Sequence, residues 1–140
     1  MVVCRTPVGG PAEAGTYEVS LPSVTMKQFD WSQLPQEHLN EKLARKFLSG
    51  DKITLAQLFL KKGCIVPEHS HPSEQISMIV TGSLRFTLED RSVILKSNQL
   101  ISIPSEVRHT VEAIEDTLVY DIFAPVREDW IKGDDAYLRR

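Results

Sequence analysis

Four side chains in two separated segments have the types and spacing to bind a metal ion. His69 and His71 lie one residue apart, and on a strand residues i and i+2 share a face, so both imidazoles are expected to point the same way. Gln75 follows four residues after His71, across a Pro72-Ser73 turn able to swing its amide back toward the histidines. A third imidazole, His109, comes from the run Pro104 to His109. Three imidazoles and one amide oxygen can coordinate one divalent transition metal, with Zn, Ni, Fe and Mn all compatible with such a set. The chain has four histidines. The remaining one, His38, has no partner at ligand spacing and reads as surface.

The identity of the fourth ligand bears on the chemistry. Neutral imidazoles and a neutral amide leave the full 2+ charge on the ion, where a glutamate would reduce it. That favours Lewis-acid polarisation of a substrate carbonyl or hydroxyl and attracts anions. Glu74, next to Gln75, is expected on the opposite face.

A second group follows near the C-terminus. Asp121 and Phe123 alternate with Tyr120 and Ile122 and so share one face of a core strand. A carboxylate buried there without a partner is costly. It reads either as a general acid or base facing the metal, or as half of an ion pair with Arg127. Arg127 itself reads as a bidentate clamp for a substrate carboxylate or as a tie for the tail. Trp130 and Tyr137 read as packing residues that dock that tail. Gln57 and Arg85 sit in strands where they face either the pocket or an edge.

The elements that must position these residues are short strands. Gln75 to Val80 alternates with Gln75, Ser77 and Ile79 on the inner face, and ends at Thr81-Gly82. Leu84 to Leu88 places Leu84, Phe86 and Leu88 on one face, and Ser92 to Lys96 returns after the Glu89-Asp90-Arg91 turn. Leu100 to Ile103 leads into Pro104, and Thr117 to Phe123 is a last long strand. Upstream, Leu39, Leu43 and Phe47 have helical spacing. A strand from about Leu43 to Leu48 is nonetheless preferred, because a turn signal over Ser49 to Lys52 precedes the alternating run from Ile53 to Leu60. Ser32 to Asn40 reads as loop or a short helical turn. Residues 1–16, rich in Gly, Pro and Ala, read as an arm, and Thr16 to Leu21 as an edge strand for a partner subunit, with Phe29 and Trp31 anchoring it. Strands with turn signals every 8 to 12 residues predict an all-β sandwich or barrel. The division expected is an arm over 1–30, a barrel over 31–131 and a docked tail over 132–140.

Composition bounds the rest. A chain of 140 residues, 41% apolar and 25% charged, suits one globular domain. A net charge of −3 without a basic run argues against nucleic acid as a partner. Cys4 and Cys64 are too few for a disulfide framework and read as free thiols. The start, MVVCRTPVGG, lacks the apolar core of a signal peptide, and no segment reads as a membrane span. The expectation is a soluble, cytoplasmic protein.

The spacing of both segments resembles the cupin superfamily. Gly63, His69, His71, Gln75 and Gly82 occupy the five positions of its first motif, with glutamine in the glutamate place. Asn98, Pro104, Glu106, His109 and Ala113 occupy those of the second, with Asn98 and Glu106 in glycine places and Ala113 in that of asparagine. A His-x-His pair alone would read as solvated surface; the fixed offsets move the reading to a metal site. The resemblance implies a jelly-roll barrel. Within the family, Trp31 to Ile131 is most similar to the small pectin-degradation cupins that linearise 4,5-unsaturated uronates. That similarity lies in Lys61-Lys62-Gly63, the His-x-His-Pro run with Gln75-Ile76-Ser77, the spacing of Ile103, Pro104, Val107 and His109, and the stretch Asp121 to Asp129. It implies functional roles for Asp121, Phe123 and Arg127, a small anionic substrate, and a homodimer. An iron-dependent dioxygenase and a non-catalytic sensor are the other readings left open.

Overall fold

The computed structural model describes Tyr17–Leu21 and residues 24–140, with side chains from Met26 onward. The expected arm over 1–16 and Cys4 lie outside the described residues. Cys64 is a buried free thiol.

Among the described residues twelve strands follow one another: β1 (Tyr17–Leu21), β2 (Val24–Gln28), β3 (Glu37–Asn40), β4 (Leu43–Ser49), β5 (Thr54–Leu60), β6 (Ile65–His69), β7 (Glu74–Thr81), β8 (Ser83–Leu88), β9 (Arg91–Lys96), β10 (Leu100–Ile103), β11 (His109–Ala113) and β12 (Thr117–Ala124). A short helix α1 (Glu128–Lys132) and a 3-10 turn over Ala136–Arg139 end the chain. A six-stranded sheet runs β10-β7-β12-β5-β4-β3 and a four-stranded sheet β6-β11-β8-β9. Every pairing is antiparallel. The two sheets close over one core as a jelly roll. Among the described residues no helix is long and apolar enough to cross a membrane.

The period-2 pattern explains which face each strand buries. On β12, Val119, Asp121 and Phe123 point in while Ile122 is exposed; on β7, Gln75, Ser77 and Ile79 point in while Ile76 and Met78 are exposed. Leu84 and Phe86 of β8 and Val111 of β11 meet them from the other sheet. Each large side chain so buried is worth about 1.5–3 kcal/mol. The preferred strand over 43–48 forms as β4, because Leu43 pairs with Leu60 and fills the core, leaving no face for a helix.

Ser32 to Asn40, expected as loop or a short helical turn, opens in a 3-10 turn over Trp31–Gln33, capped by the Asp30 carboxylate on the Ser32 N–H, but ends in β3. The sequence EHLN is a weak strand former; pairing with β4 and burial of Leu39 override it. The edge strand expected over Thr16 to Leu21 forms as β1, which pairs with β2 in a two-stranded hairpin. Trp31 anchors this region by stacking on Tyr120, with ring centroids 5.9 Å apart.

The backbone keeps the turns that the motif glycines provide. Gly82 adopts φ +94°, and a Cβ there would sit 2.4 Å from the Asp116 carbonyl oxygen. Asn98 and Glu106, in the glycine places of the second motif, also have positive φ, 69° and 67°. Asparagine tolerates that region well; for glutamate it is unusual and is held by the Glu106 N–H donating to the His71 carbonyl at 2.9 Å.

Candidate metal centre

His69 is the last residue of β6 and His109 the first of β11, and the two are directly paired across strands. Their ring centroids lie 4.2 Å apart. His71 lies beyond the end of β6, so its convergence does not come from strand alternation as the spacing suggested. Its loop is pinned by two bonds: Glu106 donates to the His71 carbonyl, and Ser73 Oγ donates to the Pro125 carbonyl at 2.7 Å. Gln75 reaches the group from β7 in the other sheet. One potential ligand atom from each of His69, His71 and His109 lies within 4.8 Å of the others.

The hydrogen bonds settle the tautomers. The Nδ1 atoms of His69, His71 and His109 lie 2.8, 2.8 and 2.9 Å from the carbonyl oxygens of Pro67, Ser73 and Val107. A carbonyl only accepts, so each Nδ1 carries the proton and each Nε2 presents a lone pair. Burial, the largest influence on each ring, holds all three below the usual imidazole value, His69 at about 3 and His71 at about 4. Neutral rings are therefore the resting state near pH 7.

That assignment makes two contacts informative. His71 Nε2 and Gln75 Oε1 lie 3.0 Å apart. With Nδ1 protonated, both atoms are lone-pair donors converging with no hydrogen between them. The amide is oriented this way because Gln75 Nε2 donates to Ser77 Oγ at 2.9 Å. His109 Nε2 is buried and has no partner at all. Converging lone pairs and an orphaned buried nitrogen are the signature of a cation site, and the donor set suits a divalent transition metal. His69, His71, His109 and Gln75 would hold it. Glu74, as expected, faces outward.

Asp121 lines the same cavity as His69, Gln75, His109, Arg127 and Tyr137, a space of about 40 Å³. Its Oδ1 is buried without a hydrogen-bond partner. Burial pushes the carboxyl up to about 6, against the Ser77 hydroxyl and the Arg127 charge. The alternative ion pair with Arg127 does not form. Arg127, 2% exposed, donates from Nε and Nη2 to the Asp129 carboxylate at 2.9 and 2.7 Å, and its guanidinium lies over the rings of Phe123 and Trp130. Its two-pronged edge is thus committed inside the protein, and the expected bidentate clamp on a substrate is not available from that edge. Phe123 meets the His71 ring edge-on at 5.5 Å and walls the site.

Gln57 and Arg85 do not join the centre. Gln57 shares a cross-strand row with Tyr120 and donates to its hydroxyl at 3.4 Å, and Arg85 pairs with Glu112. Trp130 is buried packing, as expected. Tyr137 is more than that: its ring lies 4.8 Å from His69 and its oxygen accepts from Arg127 Nη2 at 2.6 Å. Nothing in the local sequence around Tyr137 marks it; only the fold-back of the tail brings it here.

Comparison with known proteins agrees with this geometry. The Cupin domain family matches residues 57–123. An RmlC-like cupin from Shewanella frigidimarina superposes with a TM-score of 0.66 at 24% identity, covering 71% of this chain and 90% of that one. KdgF from a Halomonas species gives the same score and identity over 71% and 94%. A predicted oxalate decarboxylase from Thermotoga maritima gives 0.62 at 17% identity over 69% and 97%. No curated protein matches at a comparable level of significance. Residues 57–123, which contain His69, His71, Gln75 and His109, thus match the Cupin domain family, and the double-sheet fold is that of the solved cupins.

Proposed function

We propose that this cupin is a metal-dependent enzyme that opens or isomerises a small anionic sugar acid, of the 4,5-unsaturated uronate kind, without redox chemistry. The observation that carries the reading is the buried Asp121 carboxylate, its Oδ1 without a partner, lining the same cavity as His69 and His109. A carboxyl raised to about 6 can hold or release a proton near neutrality, as general acid–base catalysis requires. A divalent metal held by His69, His71, His109 and Gln75 would supply Lewis-acid polarisation of a substrate oxygen. Gln75, being neutral, leaves that charge undiminished, and Arg127 adds positive potential that favours an anion. Phe123 excludes water beside His71. The fold shared with KdgF and the Asp121, Phe123 and Arg127 pattern support the branch.

The test is metal analysis coupled to an assay on 4,5-unsaturated galacturonate, with and without chelator, in air and without it. Turnover that needs the metal and not oxygen is the expected result. Oxygen uptake dependent on ferrous iron would replace this reading with the dioxygenase one, and binding without turnover with the sensor. A homodimer belongs to the same reading. Support comes from the cross-strand pairs Leu100–Met78 and Ile76–Ile122, exposed on the outer face of the six-stranded sheet. Sedimentation at monomer mass across micromolar concentrations would remove it.

A further inference from the structure

We propose that Tyr137 is a ligand-binding residue: its hydroxyl, carried into the cavity by the folded-back C-terminal turn, donates a hydrogen bond to a carboxylate oxygen of the bound ligand. The ligand class rests on the reading above, but turnover is not required. Arginine has no acceptor atom, so in the 2.6 Å contact Arg127 Nη2 donates and the phenol oxygen accepts. The phenol proton is left over, and among the described residues no acceptor takes it. The ring lies 4.8 Å from that of His69 and borders the cavity beside the metal-ligand candidates. A donor placed there, polarised by the guanidinium behind it, suits an anionic oxygen.

The placement is built. Asp135, two residues before, is fully buried and bonds Arg45 Nη2 at 2.7 Å. Leu138, one residue after, is in the core, and Asn40 Nδ2 donates to its carbonyl at 3.0 Å. Tyr137 is therefore clamped on both sides. It also supplies what Arg127 cannot: Nε and Nη2 are committed to Asp129, so the arginine's charge reaches the ligand through the phenol O–H.

Tyr137→Phe deletes the hydroxyl and keeps the ring against His69. Acetate and D-galacturonate are titrated calorimetrically into the zinc-loaded wild type and variant, with D-galactose as the neutral control; melting temperature and zinc content report the fold. The expected result is binding of both acids weakened about tenfold, the usual size for one hydrogen bond to a charged group, with galactose, zinc content and melting temperature unchanged. Equal affinity of the two proteins for the acids overturns the inference. Tyr137-dependent binding of acetate but none of galacturonate upholds it while sinking the sugar-acid reading. Galacturonate binding that ignores Tyr137 does the reverse. A wild type that binds neither acid overturns both.

Discussion

Two buried polar clusters sit at the same end of the barrel and are treated oppositely. In the tail cluster, Arg45 and Asp135, 1% and 0% exposed, form a 2.7 Å ion pair, with Glu37 and Arg139 completing the network. Burial pushes the Asp135 carboxyl up, but hydrogen bonds from Arg139 and Arg45 outweigh it and hold the group below its ordinary value. Arg45 Nε and Nη1 lack hydrogen-bond partners, yet the guanidinium lies over the rings of Phe47 and Trp130. In the metal cluster, His109 Nε2 and Asp121 Oδ1 are left with nothing, and the Asp121 carboxyl rises. Paired buried charge holds a segment in place; buried polar atoms without partners are reserved for something that arrives later.

The largest effect that would break this contrast is loss of the ion. His109→Ala removes the imidazole whose Nε2 has no other role, and elemental analysis should find metal far below stoichiometric while the fold persists. Full retention would remove His109 from the ligand set.

Asp121→Asn comes next. Loss of a positioned acid–base group costs about 10²–10⁴-fold in rate, and kcat on the unsaturated uronate should fall by that much with metal content unchanged. The same variant has a signature in stability. Between pH 3.8 and about 6 the folded carboxyl binds a proton that the unfolded chain has released. Stability from this group is therefore complete below pH 3.8 and is lost as pH rises through about 6, a change of about 3 kcal/mol at most. The imidazoles, with lowered values, give the opposite slope in both proteins. Denaturant titrations of metal-free wild type and variant, subtracted, isolate the carboxyl. A flat difference would show that Asp121 is ionised throughout.

Asp135→Asn probes the paired cluster. Leaving buried Arg45 with only the half-exposed Glu37 as counter-charge should cost roughly 3 kcal/mol, the low end for breaking a buried pair, read as a lowered melting temperature, with metal binding intact because the tail supplies no ligand. A variant as stable as the wild type would mean that the ion pair holds nothing. The smallest effect is expected of Gln75→Glu, which keeps the metal and lowers activity several-fold by reducing its charge. A variant that loses its metal would show that the 75 position demands an amide.

What the sequence by itself determined is local. The inward faces of β7, β8 and β12 follow from alternation, which depends on neighbours two residues away. The histidine and glutamine offsets were legible for the same reason, since motif spacing survives without the fold. Asp121 was legible as a buried carboxylate but not as an unpaired one, because its freedom depends on Arg127 choosing Asp129. Only tertiary structure decided β3, whose EHLN sequence says little until β4 lies beside it. It also decided that Gln57 and Arg85 stay outside the centre, that His71 converges from a loop, and that Tyr137 enters the cavity. The tail is placed by contacts such as Asn40 to Leu138 and Arg45 to Asp135, joining residues 98 and 90 positions apart. No local pattern encodes such a pairing; it exists because closing the barrel buries Arg45, and a buried guanidinium needs a carboxylate wherever in the chain one can be found.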